Sequence, residues 1–312
     1  MANPAVAREQ YPGFMRIVDL ISRQNPLQKK RIEAFISLQG VEYWTFAEEL
    51  SRTLNHSFMI SDAERAEAAR CYNRMCMDIL REQIRFKKTG TYLLDDAHQA
   101  KASVYSQQEV MRYYMVGLLL SYLFWPNHYQ LFRFFRNQAS TARITRYLEV
   151  GVGHGLFTAE IMRRFPEASV TLVDISETSI SMAREMMATF QLDPARAHFV
   201  HGDYLTVNLD SEGYDFITMG EVLEHVNDGA GFLKRTRELL RPGGRLYLST
   251  CANCPAIDHI HHFHNVSEIR NLIRNAGLRI TRELALPADP MEEDRWEAEL
   301  VTVNYCAAGE RR

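Results

Sequence analysis

The stretch YLEVGVGHG, residues 147–155, ends a short apolar run in three glycines at alternate positions, Gly151, Gly153 and Gly155. The run before them reads as a strand, and GLFTAEIMRRF, residues 155–165, reads as an amphipathic helix. Glycine in such a turn lets the backbone bend sharply and lets another group approach with no Cβ in the way. In an open parallel sheet, the first strand-to-helix turn is also where ligands sit. Taken alone, the triplet does not separate a ligand cradle from a plain tight turn.

The same rhythm continues downstream. SVTLVDI, AHFVHGD, YDFITM and GRLYLST read as further strands, and SETSISMAREMMATF and GAGFLKRTRELL as the helices between them. Such alternation implies right-handed crossovers and a parallel sheet with helices on both faces. Two late runs, GLRITRELAL and AELVTVNYCAA, read as a terminal hairpin on the sheet edge. Residues 1–140 follow a helical period throughout. SDAERAEAARCYNRMCMDILREQIRF opens with Ser61 and Glu64, a capping box. An aromatic pair of helical segments, residues 106–137, breaks near Pro126. The polar QASTAR, residues 138–143, reads as a linker. The expectation is therefore an all-helical lid or substrate domain over 1–140, followed by an α/β domain over 141–312.

The totals bound the partners. The chain has 312 residues, 46% of them hydrophobic, and a formal net charge of −3, so it has no general attraction to a polyanion. No nucleic-acid partner and no membrane partner is expected. The apolar MVGLLLSYLFW stops at Pro126 and is too short to span a bilayer. Five scattered cysteines make no disulfide framework, and the start of the chain lacks the apolar core of a signal peptide, which fits a cytoplasmic protein. The sequence does not fix the oligomeric state and allows a homodimer.

Carboxylates after the strands sharpen the reading. Asp174 ends the second strand, where it can accept both hydroxyls of a ribose. Asp203 ends the third, placed to accept from an adenine amino group with Tyr204 beside the ring. Glu149 lies just inside the glycine turn; it suits a cationic ligand such as an α-ammonium group and would repel a pyrophosphate. At this point EVGVGHG resembles the E-x-G-x-G-x-G motif of class I S-adenosylmethionine-dependent methyltransferases, and VDIS, GDYL, MGEVLEHV and LRPGGRLYLST resemble that family's later motifs, in order, over roughly residues 145–310. The resemblance implies a Rossmann-like seven-stranded, mostly parallel sheet with an antiparallel last strand. It also implies S-adenosylmethionine as cofactor, surrounded by Glu149, Gly151, Gly153, Gly155, Asp174, Ile175, Asp203, Tyr204 and Glu221.

Methyl transfer is an in-line displacement that asks mainly for positioning and desolvation, and for a base only when the nucleophile holds a proton. Catalytic candidates are accordingly few. His225 in EVLEHV is one; the bland alternative is a residue that packs near the cofactor. CANCPAIDHIHHFH, residues 251–264, carries four histidines, of which His259 and His262 are the candidates. Imidazoles at this density allow a divalent metal, as in some α-keto-acid C-methyltransferases, but the residues do not favour one over a polar loop with local hydrogen bonds. Tyr105, ahead of a helix expected at Ser106, is placed to reach the cofactor's carboxylate. No Asn/Asp-Pro-Pro-Tyr/Phe run follows the fourth strand, so the expectation is a small-molecule acceptor of secondary metabolism, methylated on oxygen, nitrogen or an activated carbon, an α-keto acid among them. Two alternatives stand beside it: an enzyme that cyclises S-adenosylmethionine to azetidine-2-carboxylate and releases methylthioadenosine, and a non-catalytic cofactor-binding protein.

Overall fold

The computed structural model describes residues 4–210 and 212–311. Eight helices come first: α1 (Pro4–Gln10), α2 (Pro12–Gln24), α3 (Pro26–Ser37), α4 (Val41–Ser57), α5 (Asp62–Thr89), α6 (Ala97–Ala100), α7 (Gln108–Phe124) and α8 (Pro126–Ser140). Local chemistry sets their ends. At α5 the Ser61 side chain accepts from Glu64 N–H, the Glu64 carboxylate accepts from Ser61 N–H, and Gly90 closes the helix in a left-handed conformation. Proline in the first turn starts α3 and α8. Tyr105 ends a π-helical turn, Lys101–Tyr105, and α7 starts at Gln108 without a side-chain cap, so the helix expected at Ser106 begins two residues later.

The remaining elements are β1 (Arg146–Val150), α9 (Leu156–Arg164), β2 (Ser169–Asp174), α10 (Glu177–Thr189), β3 (Ala197–His201), β4 (Tyr214–Gly220), α11 (Gly229–Leu239), β5 (Leu240–Ala252), α12 (Val266–Asn275), β6 (Leu278–Pro287) and β7 (Val303–Arg311). They form one seven-stranded sheet in the order β3-β2-β1-β4-β5-β7-β6. All pairings are parallel except those of β7, which runs antiparallel to both β5 and β6. The terminal hairpin is therefore not a simple addition at the edge: its second strand slots inside its first.

Strand alternation divides the side chains between two cores. Tyr147, Phe216, Tyr247 and Cys306 point to the face covered by α8, α9, α10 and the N-terminal helices. Leu148, Ile217, Leu248 and Tyr305 point to the opposite face, under α11 and α12. The first of these cores is continuous from Phe14 to Cys306. Residues 138–143 are thus less of a linker than their composition implies, since Gln138 and Ala139 are buried in the last turn of α8. No helix among the described residues is long and apolar enough to cross a membrane, and none of the five cysteines is in a disulfide.

One glycine carries this packing. A Cβ on Gly155 would sit 2.8 Å from the Ala183 Cα of α10, at a backbone φ of +79°. Gly155→Ala should therefore lower the melting temperature by several degrees, from strain of order 1–3 kcal/mol. Unchanged melting by calorimetry would contradict the close approach of α9 and α10.

Candidate active site

The turn after β1 shows what the three glycines accommodate. Gly151 and Gly153 have φ of +72° and +50°. A Cβ on Gly151 would meet Val222 Cγ2 at 2.6 Å, whereas the nearest atom to one on Gly153 is Met115 Sδ at 3.7 Å. Two of the three therefore yield to the protein itself, Gly151 to Val222 and Gly155 to α10. Gly153 faces open space. That space is a cavity of about 1390 Å³ which runs from the glycine turn into the N-terminal helices. Gly151 and Gly153 line it; Gly155 is not among its lining residues.

Other sequence candidates sit around the same end. Asp174 is nearly buried and accepts from Gly153 N–H at 3.3 Å and Ser176 N–H at 2.7 Å, so it ties β2 to the glycine turn. Burial pushes its carboxyl up, against the pull of these hydrogen bonds. Ile175 beside it lines the cavity with 46% of its surface exposed, a large apolar side chain left uncovered at the rim. Asp203 accepts from Leu205 N–H at 2.9 Å and faces the cavity. Tyr204 is buried, its hydroxyl 3.0 Å from Thr236 Oγ1 and its ring against Phe232. Glu221 holds φ at +53°, unusual for a non-glycine residue, and its Oε1 is buried in the cavity wall with no hydrogen-bond partner among the described residues.

Glu149 departs from expectation. It shares a strand face with Tyr147, is 1% exposed, and is not among the lining residues. Its Oε2 accepts from the Tyr147 hydroxyl at 2.9 Å and from Thr158 Oγ1 on α9. Burial pushes the carboxyl up to about 8. In this structure Glu149 braces β1 against α9 rather than facing a cationic ligand.

The histidines divide. His225 ends a short 3-10 turn, Leu223–His225, and lines the cavity. Its Nδ1 lies 3.0 Å from the Tyr105 hydroxyl, 3.1 Å from the Asp258 carbonyl oxygen and 3.5 Å from Asp258 Oδ2. His259 also lines the cavity, edge-on to His225 with ring centroids 4.7 Å apart. Its Nδ1 is 2.6 Å from the Cys254 carbonyl, and burial lowers it to about 4, so it is neutral near pH 7. His262 does not join them. Its Nε2 is 2.8 Å from Asn253 Oδ1 and its ring stacks on Tyr92, outside the cavity lining. Of the sequence candidates His225, His259 and His262, the structure thus brings His225 and His259 together and leaves His262 apart.

Sequence reasoning passed over Asp258. This residue is 2% exposed, lines the cavity, and leaves Oδ1 buried without a partner. Its placement depends on a long-range contact: the Ile260 and His261 N–H groups donate to the Glu224 carbonyl at 2.9 and 3.0 Å, which folds the histidine loop back onto the turn carrying His225. Glu224 itself is buried, accepts from Thr250 Oγ1 at 2.7 Å, and is pushed well up by burial and then by Glu221. Among the described residues, Glu224, His225 and His259 can each bring one donor atom within 4.8 Å of the others, as can Cys251, Cys254 and His259. Both sets have metal-ligating chemistry.

Comparisons with known proteins bear on the family. Residues 148–248 match the family described as a methyltransferase domain. The ubiquinone biosynthesis O-methyltransferase of Acinetobacter baylyi is 27% identical over 179 residues, 51% of this chain and 74% of that protein. The one from Coxiella burnetii is 28% identical over 189 residues, 54% of this chain and 79% of its own length. The chain is a class I S-adenosylmethionine-dependent methyltransferase. Among solved structures, phosphoethanolamine N-methyltransferase 2 of Haemonchus contortus, in complex with S-adenosyl-L-methionine, superposes with a TM-score of 0.51 at 13% identity, covering 70% of this chain and 60% of that one, a likeness of fold. The methyltransferase takes S-adenosylmethionine as its cofactor.

The buried acid of this methyltransferase gives a pH-dependent expectation. A carboxyl whose folded pKa is about 8, against 4.5 when unfolded, keeps its proton in the folded state across that window. Stability then falls as pH rises through the window and levels off above 8. Glu149→Gln should remove much of the loss of melting temperature between pH 6 and pH 9. An identical pH dependence in both proteins would contradict a protonated Glu149.

Proposed function

We propose that the enzyme transfers a methyl group from S-adenosylmethionine to a separate small-molecule acceptor, with the helices of residues 1–140 as the lid and substrate side. The observation that carries this reading is the size of the cavity. At about 1390 Å³ it exceeds the roughly 300–1,000 Å³ of an ordinary single-ligand pocket. Cyclisation of the cofactor on itself needs no space for an acceptor, so the extra volume favours transfer. In this reading Asp174 takes the ribose hydroxyls, Asp203 and Ile175 hold the adenine edge and face, and Gly151 and Gly153 let the methionyl part pass close to the backbone.

His225 is the proposed base. A carbonyl oxygen only accepts, so the short contact to the Asp258 carbonyl assigns the ring proton to Nδ1. Nε2 then keeps its lone pair for an acceptor proton. In that tautomer the Tyr105 oxygen accepts from the same Nδ1–H and directs its own proton to the Asp258 side chain; it keeps that proton because burial and then the Asp258 and Asp174 charges push its pKa far up. Tyr105 thus serves first to orient His225, in place of the cofactor-carboxylate role expected from sequence. His259, neutral and edge-on, holds the other side of the ring. A base here suits a hydroxyl or an acidic carbon more than an amine that is already free. The O-methyltransferase relatives are consistent with a hydroxyl acceptor.

Mass spectrometry of the nucleoside product tests this directly. Incubation with S-adenosylmethionine alone should give no methylthioadenosine, and addition of an accepted substrate should give S-adenosylhomocysteine. His225→Gln should lower that turnover by 10²–10⁴-fold while leaving cofactor affinity unchanged. Methylthioadenosine formed without any acceptor would sustain the cyclising alternative instead.

A further inference from the structure

The charges along the cavity are sorted by the half of the chain they come from. Its carboxylates are Asp174, Asp203, Glu221, Asp228, Asp258 and Asp289, all from the sheet half. Its Lys and Arg residues are Arg31, Lys87, Lys88 and Lys101, all from the helical half. This does not follow from composition. Residues 1–140 hold fourteen Asp and Glu, and none of them lines the cavity. Residues 141–312 hold eighteen Lys and Arg, and none of those does either.

The acidic half fits the cofactor, whose sulfonium and ammonium groups are cations. The helical half has to fit something else. Lys87 is engaged with the Glu299 carbonyl. Arg31, Lys88 and Lys101 have no ion-pair partner among the described residues, and all three are exposed. Deeper surfaces on the same helices are apolar: Phe35 on α3, Ile79 and Leu80 on α5, Leu118 and Phe124 on α7. Leu38 and Ile84, on the same walls, are 82% and 49% exposed, which leaves apolar surface uncovered next to the cations.

We infer that the acceptor is an amphipathic anion, whose apolar body lies along α3, α5 and α7 and whose carboxylate or phosphate is held by the unpaired cations of that wall, Arg31 and Lys88 among them. The inference rests on the proposed transfer to a separate acceptor. A cationic acceptor would meet only like charge on the helical side, and a neutral one would leave the sorting without purpose. Arg31 offers a planar fork that either anion can engage with two hydrogen bonds, and Lys88 adds a point charge.

Calorimetry on the protein saturated with S-adenosylhomocysteine tests it. The probes are dodecanoate, dodecyl phosphate, dodecylamine and dodecanol, each below its micelle concentration, at low salt. Both anions should bind about tenfold more tightly than the amine or the alcohol, an effect of the size expected from two exposed charges. The difference should shrink as salt is raised, and vanish in the double variant Arg31→Glu/Lys88→Glu. Preference between the two anions assigns the acidic group as carboxylate or phosphate. Equal affinity for amine and anion, or no binding of either anion, overturns the inference. So does a loss of S-adenosylhomocysteine affinity in the double variant, which would assign the basic wall to the cofactor's own carboxylate. Failure of S-adenosylhomocysteine to bind the wild type would instead overturn the reading of the cofactor end.

Discussion

The backbone after β1 has to turn through a slot that admits no Cβ at Gly151 or Gly155. On one side stands Val222, two residues past the end of β4; on the other stands α10. This steric constraint brings β1, β4 and α10 to their working distance. It also points Gly153 N–H at Asp174, fixing a carboxylate at the mouth of the turn. The packing of the sheet and the shape of the cavity at the glycine turn are therefore one problem, solved by the same few residues. The positive φ of Glu221 belongs to it as well, since its N–H is held by the Ser249 carbonyl at 2.9 Å while its side chain enters the cavity.

Along the cavity, burial rather than net charge sets the electrostatics. Glu221 and Glu224 are both raised by burial, and Glu224 further by its neighbour. His128, His154 and His259 are all pushed down by burial to about 4, 3 and 4. Near neutral pH the site thus contains neutral imidazoles beside carboxyls that resist ionisation. A sulfonium entering it would favour ionisation of the nearest acids, because an opposite charge offsets part of their desolvation. Cofactor binding and the protonation of Glu221 are coupled in this account.

Much of this was legible in the sequence. The strand and helix segments after residue 143 followed from alternation, because the central strands β1, β4 and β5 bury both faces and each helix buries one. The position of Asp174 and Asp203 at the cavity was legible because strand ends in a parallel sheet converge on one crevice. Glu149 was not, since proximity to glycines says nothing about which strand face a side chain takes; the sign was Tyr147 two residues earlier, on the same face. His262 was overrated for a similar reason, as four histidines in one loop fan out in different directions. Asp258 was missed because its position depends on hydrogen bonds to the distant Glu224 carbonyl. The place of β7 between β5 and β6 was likewise a matter of non-local pairing.

The helical half gives the fold its individuality. It shares a core with the sheet through Phe135, Phe157 and Tyr247, so it cannot drift as a tethered domain would. Its side of the cavity is apolar with exposed cations, where the sheet side carries the carboxylates. A crystal structure with S-adenosylhomocysteine tests the central claim most directly. The account predicts ribose hydroxyls on Asp174, the methionyl part along Gly151 and Gly153, and the sulfur facing His225 with the helical cavity open beyond it. A nucleoside bound elsewhere, or a sulfur turned away from that cavity, would contradict it.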